Sequence, residues 1–148
     1  MSLQARLDQD LKTAMAAKDA DKLSTVRFLK SAVKYAAIEK KAQNLSDAEI
    51  RQVIQKQVKQ HRESIDQFTK AGRTDLLEKE KRELAILESY LPKQLGEEEL
   101  MRIVESEVRK AGASSKKDFG RMMKILNEKL AGGAEPRRVS ESLNKLLP

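Results

Sequence analysis

The sequence predicts an all-α protein, with four helices in an N-terminal domain and three shorter ones in a compact C-terminal domain. Three observations carry that prediction. Apolar residues recur at three- and four-residue spacing, and no stretch alternates with period two. Aromatic residues are only 3% of the chain and tryptophan is absent, so Leu, Ile, Val, Met and Ala must build the core, which suits helix-on-helix packing. Capping and stop residues stand at the ends of the periodic stretches.

The first helix is expected after Ser2, with Leu3, Leu7, Leu11 and Met15 on its inner face. Asp19-Ala20-Asp21 interrupts it and opens the second, whose inner stripe is Leu23, Val26, Leu29, Val33 and Ala37. Lys22, Arg27, Lys30 and Lys34 fall on the opposite face. The third start is a Ser46-x-x-Glu49 capping box flanked by Leu45 and Ile50 in staple positions. Its stripe runs Ile50, Val53, Ile54, Val58, His61, Ile65 and Phe68, and Gly72 supplies a left-handed stop. The fourth helix is expected from about Thr74 to Leu91, with a helix-spaced Glu78–Arg82 pair and a stop at Pro92.

Pro92-Lys93-Gln94-Leu95-Gly96 reads as the boundary, so the expected organisation is a domain over 1–91, a linker over 92–96 and a three-helix domain over 97–148. Glu97-Glu98-Glu99 complements the positive end of the fifth helix, whose stripe is Leu100, Ile103, Val104 and Val108. Ser115 and Asp118 open the sixth as a variant capping box, with Phe119, Met122, Met123, Leu126 and Leu130 inward. Gly132-Gly133 is a turn needing positive φ at one glycine, and Pro136 fits the first position of the seventh helix.

The composition excludes several chemistries. With no cysteine there is no disulfide, thiolate catalysis or cysteine-ligated metal. No apolar run approaches the roughly 20 residues that cross a bilayer, and the first residues lack a secretory apolar region, so a cytoplasmic location is expected. No nucleophile–base pairing, Walker loop or dinucleotide fingerprint is visible, so no catalytic residue, metal ligand or cofactor is assigned. The single histidine, His61, lies on an apolar stripe and reads as a packed or boundary residue.

The basic residues remain. Between Arg109 and Arg138, nine Lys and Arg face only Asp118, Glu128 and Glu135, an excess that is most of the net +7. The candidate nucleic-acid-binding residues are Lys116, Lys117, Arg121, Lys124, Lys129, Arg137 and Arg138. Lys and Arg neutralise phosphates with release of counterions, and free helix-start N–H groups near Ser115 or Pro136 add anion contacts. Without an aromatic platform, shape recognition of folded RNA fits better than single-strand stacking. A plain solvated basic face is the competing reading.

Three stretches are similar to the YqeY-like (GatB/YqeY) family: Lys70-Ala71-Gly72-Arg73-Thr74-Asp75-Leu76 continuing to Glu80 and Glu83, Tyr90-Leu91-Pro92-Lys93-Gln94-Leu95, and Gly112 to Met123. The resemblance implies a helical N-terminal domain and a three-helix tail similar to that of the B subunit of the aspartyl/glutamyl-tRNA amidotransferase. It therefore implies a non-catalytic accessory role with transfer RNA, an amidotransferase or a tRNA synthetase as partner. The catalytic domains of that enzyme have no counterpart here, so a part in amidotransferase activity with glutamine as donor is the least favoured reading. A protein–protein adaptor using helices two and three is the alternative. The chain departs from the family at Gly133, where arginine is usual, at Gly96, where serine is usual, and at Phe119, where methionine is common.

Overall fold

The computed structural model describes residues 1–148. It is all-helical, with seven α-helices, one 3-10 turn and no strand. The helices are α1 (Leu3–Ala17), α2 (Ala20–Glu39), α3 (Asp47–Ala71), α4 (Thr74–Glu88), α5 (Glu97–Ala111), α6 (Phe119–Leu130) and α7 (Pro136–Leu146). They form two compact units, Met1–Leu91 and Pro92–Pro148.

Local chemistry sets the helix starts. The Ser2 hydroxyl accepts the Ala5 N–H, and the Asp19 carboxylate accepts the Lys22 N–H. Ser46 and Glu49 complete the reciprocal capping box. Gly72 and Gly112 end α3 and α5 with φ of 68° and 66°. Pro136 occupies the first turn of α7, where a missing N–H costs nothing.

The first unit buries Leu7, Leu29, Ile50, Ile54, Leu87 and Tyr90 together. Polar ties join its helices: the Leu3 N–H donates to Asp47 Oδ1 at 3.0 Å, and Lys30 meets Asp8 at 2.8 Å. Arg82 reaches Asp21 on α2 at 2.8 Å, so the expected Glu78–Arg82 pair does not form and Glu78 faces Lys81 instead. Met15, expected inward, is 52% exposed, and Ala14 is buried in its place. Steps of four overshoot the 3.6-residue repeat by about 40° each, so three steps carry Met15 about 120° from Leu3.

α4 ends at Glu88, earlier than expected, because Ser89-Tyr90-Leu91 closes in tight turns that bond back three residues. That turn buries Tyr90. Its hydroxyl donates to Asp10, and the Arg6 guanidinium stacks over its ring at 4.6 Å. Burial, then the Asp10 carboxylate, pushes the phenol's ionisation well above the usual tyrosine range. Tyr90, with Leu91 packed beside it, thus closes the first unit's core.

The second unit buries Leu100, Val104, Met122, Leu126, Val139 and Leu143. Residues 92–96, expected as a linker, are bonded into it. The Leu95 N–H donates to the Gly133 carbonyl at 2.8 Å, and Gln94 Nε2 donates to the Gly132 carbonyl at 2.9 Å. Gly132 takes the positive φ of 89°. A Cβ on Gly133 would stand 3.1 Å from the Leu130 carbonyl oxygen, so close backbone approach favours glycine there.

Candidate functional site

The seven candidate phosphate-binding residues do not form one free surface. Arg121 donates to Asp118 at 3.0 Å and to the Ala111 carbonyl at 3.2 Å. Asp118 also accepts the Ser114 and Ser115 N–H groups, and these bonds, the first from Ser114 and the next from Arg121, hold its carboxyl below the usual range. Arg137 meets Glu141 at 3.1 Å, and Lys129 meets Glu107 at 3.9 Å. Arg138 donates to the Leu95 carbonyl at 2.7 Å, tying α7 to the 92–96 segment. Lys116, Lys117 and Lys124 are exposed and form no ion pair.

Helical spacing divides them further. Arg121 and Lys124 lie about 60° apart on α6 and Lys129 about 140° round it from Lys124, whereas Lys117 precedes that helix in the 3-10 turn Lys116–Asp118. Gly120 lies beside Arg121 and one turn before Lys124 on α6, and a Cβ placed on it would meet nothing within 4 Å. A glycine inside a helix costs up to about 1 kcal/mol relative to alanine. Nothing within the chain requires this one.

The outer face of α2 carries a different feature. Phe28, Tyr35 and Ile38 are 62%, 71% and 61% exposed, and lie along one side of the helix. Arg27 and Lys34 repeat the same two-turn spacing one residue earlier, are exposed and form no ion pair. Sequence reading placed those two cations outward and missed the apolar line beside them. Its signal was a spacing of seven between the two aromatics, outside the buried stripe.

A third arrangement joins α3 to α4. His61 Nε2 stands 3.1 Å from Glu83 Oε2 and 3.6 Å from Glu80 Oε2, and its Nδ1 lies 2.9 Å from the Gln57 carbonyl oxygen. The three side chains are only 13–24% exposed. One ligand atom from each lies within 4.8 Å of the others, so the fold assembles a possible metal-ligand set where sequence reading assigned none. The apolar spacing located His61 correctly on the inner side of α3, but its carboxylate partners lie about twenty residues away and only packing brings them in.

These features define a helical chain that offers surfaces and one half-buried polar cluster. The chain belongs to the YqeY-like protein family, whose model matches residues 4–147. It is 41% identical over 87 residues to "Altered inheritance of mitochondria protein 41, mitochondrial" of Eremothecium gossypii, covering 59% of this chain and 48% of that protein. The protein of the same name from Kluyveromyces lactis is 42% identical over 86 residues, covering 58% and 46%. That from Pyrenophora tritici-repentis is 37% identical over 105 residues, covering 68% and 56%. The chain spans about half the length of the curated relatives it matches. The cytoplasmic expectation is overturned by these names, which place those relatives in mitochondria. No helix is long and apolar enough to cross a membrane.

Proposed function

We propose that this chain is a protein–protein adaptor whose α2 face docks an amphipathic helix of a partner with an acidic flank. The observation that carries the reading is the exposed line of Phe28, Tyr35 and Ile38. Two of the chain's five aromatic residues stand in water on that line. Large apolar side chains grouped on one exposed face are a feature of interaction sites, and aromatic anchors supply much of interface affinity. Arg27 and Lys34 give the flank its sign, so complementary carboxylates on the partner helix set orientation. Phe28→Asp should abolish partner recovery in a nuclease-treated pull-down while leaving the helical circular dichroism signal intact. The same partners recovered by the variant, or a wild-type homodimer that Phe28→Asp disperses, would count against the reading.

A second reading is contact with transfer RNA through the C-terminal unit, alongside an amidotransferase or tRNA synthetase. Gly120 favours it: an unforced glycine beside Arg121 and one turn before Lys124 lets a phosphate backbone approach closely. The exposed Lys116, Lys117 and Lys124, which form no ion pair, are the cations available to such phosphates. The salt dependence of binding tests it.

A further inference from the structure

We infer that His61, Glu80 and Glu83 form a binding site for a divalent transition-metal ion of the zinc type, clamping α3 to α4. A backbone carbonyl only accepts, so the 2.9 Å contact with Gln57 places the Nδ1 proton on that side of the ring. Nε2 then faces Glu83 Oε2 at 3.1 Å and Glu80 Oε2 at 3.6 Å, both acceptors. A lone pair facing two carboxylate oxygens needs a positive centre between them, either a second proton on the ring or a cation. A single imidazolium charge against two carboxylates leaves one negative charge in a site where the side chains are at most 24% exposed. Lys79 approaches only the other oxygen of Glu83, at 4.0 Å, and is itself 55% exposed. A divalent ion with neutral imidazole balances the charge completely.

The spacing agrees with coordination. Ligand atoms about 2.1 Å from a tetrahedral ion stand about 3.4 Å from one another. The two nitrogen–oxygen separations, 3.1 and 3.6 Å, bracket that value, and all three ligand atoms lie within 4.8 Å of one another. The ring orientation agrees too: metal-binding histidines donate their second N–H to a carbonyl or carboxylate, which fixes the tautomer and aims the free nitrogen. One turn earlier on the same face of α3, Gln57 buries its Oε1 without a hydrogen-bond partner. One imidazole and two carboxylates suit zinc or a neighbouring first-row ion, whereas calcium and magnesium prefer all-oxygen sets. Glu80 and Glu83, three apart on α4, and His61 on α3 span the two-residue turn between Ala71 and Thr74. An ion there binds the folded hairpin and not the unfolded chain, so it stabilises the first unit.

The test uses the 148-residue chain, stripped with chelator, titrated with zinc sulfate by calorimetry and melted with and without zinc. The expected result is one saturable site per chain and a higher melting temperature with zinc. Cobalt(II) should give visible d–d absorption that zinc displaces. Glu80→Gln retains shape and, with its side chain partly exposed, should fold normally by circular dichroism. It should weaken zinc affinity at least about tenfold and erase the thermal gain. His61→Gln should do the same. Absence of saturable zinc binding by the wild type, or wild-type zinc affinity in Glu80→Gln and His61→Gln, would overturn the site and leave a hydrogen-bonded histidine clip.

Discussion

At the scale of the residue, Glu49 shows how one side chain can hold two roles at once. It accepts the Lys40 ammonium, and it accepts the Ser46 N–H in the capping box of α3. The Lys40 bond first and the Ser46 bonds next pull its carboxyl from 4.5 down to about 2. A folded-state value below the unfolded one means stability that is complete above about pH 4.5 and lost as pH falls toward 2. Glu49→Gln keeps the cap geometry and removes the titration. The variant should show a shallower loss of stability between pH 4.5 and pH 2 than the wild type, measured by urea denaturation across that range. A parallel loss in both proteins would assign the acid sensitivity to Asp8, Asp75 and Asp118, whose carboxyls are also held low.

Elements were legible in the sequence wherever a short-range signal defined them. Ser2, Asp19, Ser46, Gly72, Gly112 and Pro136 each set a helix end within a few residues of themselves, and the structure puts helix ends there. What escaped needed packing. The early end of α4 follows from burying Tyr90 against Asp10 and Arg6, eighty residues away. Arg82 found Asp21 on another helix before it found Glu78 on its own. In the basic region, Arg121–Asp118 and Arg137–Glu141 are pairs three and four residues apart, whereas Glu107 meets Lys129 only through the packing of α5 on α6. α6 carries its own prediction. Gly120→Ala should raise stability by up to about 1 kcal/mol, read from the denaturant midpoint, since the added methyl meets open space. If the glycine serves close approach of a phosphate backbone, the same variant will bind tRNA more weakly while melting higher. Unchanged binding would return Gly120 to a neutral position.

For the whole molecule, charge is distributed more evenly than the region from Arg109 to Arg138 suggests. The first unit holds eighteen Lys and Arg against fourteen Asp and Glu, and the second holds twelve against nine. The net +7 is therefore no signature of the C-terminal unit. The number of phosphates a surface neutralises is instead read from salt, because each contact adds about 0.9 to the slope of log affinity against log salt on a duplex. If all seven candidate cations contact RNA, the slope is about −6. If only the unpaired Lys116, Lys117 and Lys124 do so, it is about −3. The ion pairs favour the lower figure, since Arg121, Lys129 and Arg137 must leave a carboxylate before they meet a phosphate. Filter binding of tRNA by the 148-residue chain between about 50 and 200 mM salt should thus give a slope of about −3. The double variant Lys117→Gln and Lys124→Gln should bring it near −1, because each lost contact removes about one unit. A wild-type slope near zero would remove transfer RNA from the functional reading and leave the α2 face as the surface through which this chain acts.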